Sequence, residues 1–319
     1  MAIYFSEADV RRVLTMSVAI DQVEQAFGAR GRGAAVDVPR ERARLPGAHL
    51  HIMPAGSTEL DLVGYKAYYI KPGAGRTSLI HLIGRTSGNL EAIVEADWLG
   101  QMRTGATTGV AVRHLARRDA DVLGLFGYGR HAVTQLEAIS HARTLREVRV
   151  FARNDERVAA FCREQRARLG LDIRAATSRE DAVRGVDMIA LMTRANEPLF
   201  DGAWLEPGQL VTAAGSNSLD RREIDVETAR RADLIVVDSR EVAERECGDL
   251  LHAYEAGIVH WENLTDLGQV VAGARRGRVD DAQIILFESH GMALQDLYTA
   301  AKVVELAKAQ GLGVTLPMG

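Results

Sequence analysis

The chain has 319 residues, with 39 Lys and Arg against 43 Asp and Glu, two Cys and 47% apolar residues. This is an ordinary globular composition, not a disordered one. The net charge of −4 argues against a nucleic-acid partner, and no apolar run reaches the ~20 residues of a membrane span. The opening MAIYFSEADVRR lacks the basic segment and apolar h-region of a signal peptide, and Cys162 and Cys247 show neither metal-ligand spacing nor a disulfide framework; a cytoplasmic protein of two domains, with no metal and no membrane partner, is expected.

Residues 1–33 read as helical, with Val10, Val13, Leu14, Val18, Val23, Ala26 and Phe27 at spacings of three to five. From Pro39 the texture changes to short apolar segments, His49–Met53, Leu62–Ile70, Ser78–Ile83 and Leu90–Val94. Turn residues separate them (Pro46-Gly47, Pro72-Gly73, Ser87-Gly88-Asn89), which is the pattern of an antiparallel sheet. Asp97 is placed to cap a helix from about Trp98 to Leu115.

Two cations stand out here. On a strand, Lys66 shares its side with Leu62, Gly64, Tyr68 and Ile70, and an ammonium in that apolar row is costly without a partner. The bland alternative is an edge-strand Lys that snorkels to water. Arg103 opens Arg103-Thr-Gly-Ala-Thr-Thr-Gly109, a run of small residues that permits close approach by a ligand or by another backbone. Arg44 precedes Leu45-Pro46-Gly47, with Arg40 and Arg42 as neighbours.

From Asp121 on, apolar runs alternate with helical patterns: Val122–Phe126, Val148–Phe151, Ile173–Ala175, Met188–Met192, Leu210–Ala214, Leu234–Val237 and Ile284–Phe287. Buried parallel strands look like this, and the alternation implies a doubly wound sheet. The last stretch, Leu294–Gln310, reads as an amphipathic helix. Within this half, Val122–Phe126 runs into Gly127-x-Gly129-x-x-Ala132 and then a helix. Gly127 allows the tight turn, Gly129 lets a pyrophosphate approach the backbone, and Ala132 lets the helix pack on the strand. After the next strand comes Arg153-Asn154-Asp155. An Arg there accommodates the 2′-phosphate of NADP, Asn154 can donate to it, and Asp155 is placed to cap the following helix. NADP(H) is favoured, with NAD(H) as the alternative. His81 reads as a core residue, and His290 lies at a strand end.

Taken together, Arg44 with Met53-Pro54-Ala55, Gly64-Tyr-Lys66, Arg103-Thr-Gly-Ala106, Gly127-Tyr-Gly-Arg-His-Ala132, Arg221-Arg-Glu-Ile-Asp225 and Ser289-His-Gly-Met-Ala-Leu-Gln-Asp296 resemble the ornithine cyclodeaminase/mu-crystallin family over nearly the whole chain. The resemblance implies an α/β fold in two parts. One is a smaller α+β substrate-binding and dimerisation domain over 1–117, completed by the C-terminal helix 294–319. The other is a Rossmann dinucleotide-binding domain over 118–293. It implies that Arg44, Lys66 and Arg103 hold a substrate carboxylate. Cofactor contacts are expected from Thr104, Gly127, Gly129, Arg130, His131, Ala132, Arg153, Asn154, Thr193, Ser289 and Gly291.

One position departs from the family. Where its cyclodeaminases and alanine dehydrogenases carry an Asp after the Leu210–Ala214 strand, this chain has Asn217, and an amide cannot act as a general base; Asp220 is out of register. The expected activity is NAD(P)-dependent reduction of an α-imino acid to an amino acid, or the reverse, by a homodimer, with Lys66 and Asn217 as the catalytic residues. The alternatives are an ornithine-type cyclodeaminase with bound NAD and a cofactor-dependent small-ligand binder.

Overall fold

A computed structural model describes residues 1–71 and 75–317. The chain divides into two compact units, Met1–Arg103 with Met292–Gly319, and Thr104–Gly291. The turn expected at Pro72-Gly73 lies outside the described residues.

The first unit begins with strand β1 (Ile3–Phe5), helices α1 (Glu7–Val13) and α2 (Met16–Gly31), then β2 (Ala35–Asp37), β3 (Glu41–Leu45), β4 (Ala48–Ser57), β5 (Leu62–Lys71), β6 (Gly75–Gly84) and β7 (Leu90–Glu95). Helix α3 (Asp97–Leu115) follows, and the division between units falls inside it. The first 33 residues are therefore a strand and two helices, not one helical stretch. Ser6 caps α1, and the Thr15 hydroxyl accepts from the Val18 N–H at 3.3 Å to start α2. Asp97 is the first helical residue of α3 and not its cap; the Glu7 carboxylate accepts from the N–H groups of Asp97 and Trp98, placing negative charge at the positive end of the helix dipole.

The second unit runs β8 (Val122–Phe126), α4 (Arg130–Ala142), β9 (Glu147–Phe151), α5 (Asp155–Leu169), β10 (Ile173–Ala175), β11 (Met188–Leu191), β12 (Leu210–Ala213), α6 (Val226–Arg231), β13 (Leu234–Val237), α7 (Arg240–Glu246), α8 (Gly248–Glu255), β14 (Thr265–Asp266), α9 (Leu267–Val271) and β15 (Ile285–Glu288). The chain then returns to the first unit with α10 (Ala293–Ala309) and β16 (Val314–Thr315).

In the first unit the strands form one sheet in the order β16-β1-β7-β6-β5-β4-β2, with β3 pairing β4. All pairs are antiparallel except β1 with β7. One face carries α10 and α2. Leu62, Gly64, Lys66 and Tyr68 of β5 point into it, as the period of two requires; Ile70, of the same parity, is 37% exposed near the strand end. A Cβ on Gly64 would stand 2.2 Å from the His81 carbonyl oxygen and 3.0 Å from Leu297 of α10, so only glycine lets the helix seat here. Buried Tyr298 shares a 2.8 Å hydrogen bond with Ser57 of β4, and the buried Asp37 carboxylate accepts from the Leu294 N–H at 2.8 Å, which fixes the start of α10. The opposite face exposes Leu50, Ile52, Val63 and Tyr69. His81 stacks on Tyr65 with ring centroids 4.5 Å apart and is half-buried, so it is not the core residue expected.

In the second unit eight strands run in the order β10-β9-β8-β11-β12-β15-β13-β14, and every pair is parallel. Its central strands, β8, β11, β12 and β15, are buried along their full length, which is why they read as continuous apolar runs. The chain leaves β8 toward β9 and β10 on one side, then crosses to β11 on the other. This places a topological switch point between β8 and β11. Among the described residues no helix is long and apolar enough to cross a membrane.

Candidate active site

The first unit buries a group of cations against the first turn of α10. The Lys66 ammonium donates to Asp296 Oδ1 at 2.8 Å, and Arg103 Nε donates to the same oxygen at 3.1 Å. Arg103 Nη1 also donates to Gln295 Oε1 at 3.0 Å. Side-chain exposure is 0% for Lys66, 8% for Arg103 and 1% for Asp296, so the sequence reading of Lys66 as an inward cation that needs a partner matches what the fold builds. Burial pushes the Asp296 carboxyl up, but the charges of Arg103 and Lys66 and their hydrogen bonds outweigh it and hold the group below the usual carboxylate range. Gly100 of α3 leaves the room; a Cβ there would stand 3.1 Å from Lys66 Nζ.

A third buried cation is Arg40, not Arg44. The Arg40 guanidinium lies 6.0 Å from the ring centre of Tyr68, and Lys66 Nζ lies 5.9 Å from the same ring, both at the limit of cation–π range. His51 stacks on that ring at 4.3 Å with the planes 5° apart. Arg40 is 6% exposed, whereas Arg44 is exposed on β3, which pairs only with β4 at the sheet margin. Arg40, Arg42 and Arg44 share one parity, so strand alternation could not separate them, and only the path from β2 into β3 does.

The second unit collects its sequence-predicted residues at the carboxyl ends of its central parallel strands. Gly127, Arg153, Thr193, Asn217 and Ser289 follow β8, β9, β11, β12 and β15. Gly127 has φ +116, a conformation other residues avoid. Its N–H donates to the Phe151 carbonyl at 3.0 Å, and a Cβ on it would meet the Met192 carbonyl oxygen at 2.6 Å. At Gly129 a Cβ would meet nothing within 4 Å, and α4 starts there with no side-chain cap. A glycine turn, open space and an uncapped helix N-terminus at the switch point fit the pyrophosphate of a dinucleotide. Arg130 and His131 begin α4, and Ala132, its third residue, is fully buried. Arg153 is exposed beyond β9. Asn154, not Asp155, caps α5; its Oδ1 accepts from the Arg157 N–H at 2.9 Å, so a contact to a phosphate would have to come from its NH2. The Thr104 carbonyl, in α3, accepts from Gln135 of α4 at 3.4 Å.

Two buried carboxylates, which the sequence reading did not single out, hold these strand ends in shape. Glu223 accepts from the Thr193 N–H at 2.6 Å, the Thr193 hydroxyl at 2.7 Å and the Gly215 N–H at 2.9 Å. Burial and the nearby Asp249 charge push Glu223 up to about 8, against those three donors. Asp249 in turn accepts from the backbone N–H groups of Glu223 and Ile224. Asp238 Oδ2 accepts from the Ser289 hydroxyl at 3.0 Å, the His290 N–H at 2.8 Å and the Gly291 N–H at 2.7 Å. Burial raises the Asp238 carboxyl, but its hydrogen bonds and the charge of His290 prevail and lower it. Asn217 and Asp220 lie exposed on the loop after β12.

The model of the ornithine cyclodeaminase/mu-crystallin family matches residues 3–311. The chain is 31% identical over 261 residues to the ketimine reductase mu-crystallin of Mus musculus, covering 80% of this chain and 79% of that one. It is similar to the structure of Thermococcus litoralis Δ1-pyrroline-2-carboxylate reductase in complex with NADH and L-proline, with a TM-score of 0.92, 29% identity, and coverage of 98% of this chain and 100% of that one. It is also similar to an archaeal alanine dehydrogenase dimer with bound NAD, with a TM-score of 0.93, 28% identity, and coverage of 100% and 99%. A Rossmann-type parallel sheet joined to a smaller mixed-sheet unit, and a family match over nearly its full length, place this chain in the ornithine cyclodeaminase/mu-crystallin family.

Proposed function

We propose that this protein is a nicotinamide-dependent reductase of α-imino acids, cyclic ketimines included. The observation that carries the reading is the buried cation group in which Lys66 and Arg103 converge on one oxygen of Asp296 while Arg40 approaches the same tyrosine ring as Lys66. Two cations sharing one carboxylate leave that triad with a positive charge in excess, in a setting where an anion is favoured. Arg40 and Arg103 suit a substrate carboxylate because guanidinium binds carboxylates through paired N–H donors. The ketimine reductase and pyrroline-carboxylate reductase among its relatives support the same substrate class.

The reaction adds a hydride to the imine carbon and a proton to the imine nitrogen. The glycine turn after β8 and the strand-end loops around Thr193 and Ser289–Gly291 would hold a nicotinamide cofactor, which when bound would supply the hydride. Lys66 supplies the proton; Asp296, hydrogen-bonded to its ammonium, aims it. Asn217 needs only to hydrogen-bond the substrate amine, a task open to an amide. Arg153 favours NADPH over NADH. The first unit would also dimerise through its outer sheet face, where Leu50, Ile52, Val63 and Tyr69 are exposed; sedimentation at micromolar concentration should return a dimer, and a monomer would contradict this.

The test of the activity is NADPH oxidation with Δ1-pyrroline-2-carboxylate and with 2-oxo acids in the presence of ammonia or methylamine. Turnover of at least one of these is expected. No turnover together with tight binding would instead favour a small-ligand binder.

A further inference from the structure

Among the described residues, one group of metal-type donors gathers in the second unit. Cys247, Glu288 and His290 each offer a ligand atom, all three within 4.8 Å of one another, and all three residues are buried. They come from distant parts of the chain: Cys247 joins α7 to α8, Glu288 ends β15, and His290 lies two residues further on. His290 Nε2 is 4.0 Å from Glu288 Oε2, while its Nδ1 is 3.8 Å from Asp238 Oδ1. A second observation concerns the same carboxylate. Glu288 Oε1 is fully buried and has no hydrogen-bond partner among the described residues, an arrangement that costs free energy unless something pairs with it.

We propose that Cys247, Glu288 and His290 form a three-ligand site for one divalent transition-metal ion, with zinc the best match to the ligand set and a fourth position left to a non-protein ligand. Thiolate, imidazole and carboxylate are the three donor types zinc uses, and cobalt(II) takes the same set. Metal–ligand bonds of about 2.0–2.3 Å give tetrahedral edges of about 3.3–3.8 Å, so closing the site asks each side chain for movements on the order of 1 Å. Asp238 stands where a carboxylate orients a metal-bound histidine through its other ring nitrogen. The ion would tie the α7–α8 junction to the end of β15 and hence to Ser289–Gly291, the segment proposed above to face the cofactor.

The experiment uses tag-free full-length protein produced in cobalt-supplemented medium, so that a buried site fills during folding. Cobalt is quantified per chain, and the near-ultraviolet thiolate-to-cobalt charge-transfer band is recorded. About one cobalt per chain is expected, together with that band. Because the chain has two cysteines, the decisive variant is Cys162→Ser, in which a surviving band can come only from Cys247. Glu288→Gln and His290→Asn should each lower bound cobalt at least tenfold. Metal-free wild-type protein would overturn the proposal, as would loss of the band in Cys162→Ser or stoichiometric cobalt in folded Glu288→Gln and His290→Asn.

Discussion

Lys66 and Asp296, 230 positions apart, form an ion pair of 2.8 Å in which neither side chain reaches solvent. The pair ties β5 of the first sheet to the helix that returns from the end of the chain, and Arg103 is bonded to the same oxygen. The C-terminal helix is thus part of the cation group, because it brings the carboxylate that holds two cations in place.

Breaking this pair from the acid side should cost stability. Asp296→Asn keeps the shape and leaves Lys66 and Arg103 buried without their anion, a change worth about 3–5 kcal/mol. Denaturant unfolding of the two proteins checks it. A loss below about 1 kcal/mol would show that the pair contributes little beyond a surface ion pair.

The cation assignment predicts a pattern across four variants. Arg40→Ala, Lys66→Ala and Arg103→Ala should each lower kcat/KM for an imino-acid substrate at least tenfold, about 1.4 kcal/mol or more. Arg44→Ala should stay within about twofold of wild type, because Arg44 is exposed at the sheet margin. The reverse ranking of Arg40 and Arg44 would return the carboxylate contact to β3.

Much of this architecture was legible in the residues. Val122–Phe126 announced a buried parallel strand because both its faces are covered, and the glycine turn after it is demanded by backbone conformation, which sequence records directly. Lys66 was legible through strand parity. Arg40 was not, since Arg42 and Arg44 share its parity and only the route of the chain buries it. Strand β1 is too short to show a period, and its partners, β7 and β16, lie far along the sequence. Glu223 and Asp238 act on residues 8 to 53 positions away, through backbone N–H groups that leave no mark on sequence. Cys247 looked solitary at its place in the chain because Glu288 and His290 reach it only through the fold.

Cofactor preference should follow Arg153. Wild-type protein is expected to bind NADPH more tightly than NADH, and Arg153→Asp should reverse the order by removing a cation from the 2′-phosphate and offering a carboxylate to the ribose hydroxyls. Dissociation constants for both cofactors decide it. Tighter NADH binding by wild type would make Arg153 a bystander.

Glu223 sets a pH dependence. Its carboxyl is raised in the folded protein to about 8 from an ordinary value of 4.5. A group raised on folding contributes stability that is complete below its unfolded value and is lost as pH rises through the folded one. Wild-type stability relative to Glu223→Gln, which cannot ionise, should therefore fall between about pH 5 and about pH 9. Denaturation midpoints of both proteins across that window test the sign; a difference that is flat or grows with pH would show that the Thr193 and Gly215 donors keep Glu223 ionised.

Under the proposed function the buried cations serve reduction of a carbon–nitrogen double bond and not deamination with ring closure. The most direct measurement compares two reactions of the same purified protein: NADPH oxidation with Δ1-pyrroline-2-carboxylate, and release of ammonia and proline from L-ornithine with NAD. Cofactor oxidation matched by proline formation is expected in the first, and no ammonia above background in the second, because Asn217 cannot take up a proton as a carboxylate does. Stoichiometric ammonia and proline from ornithine, with no oxidation of NADPH by the imine, would contradict it.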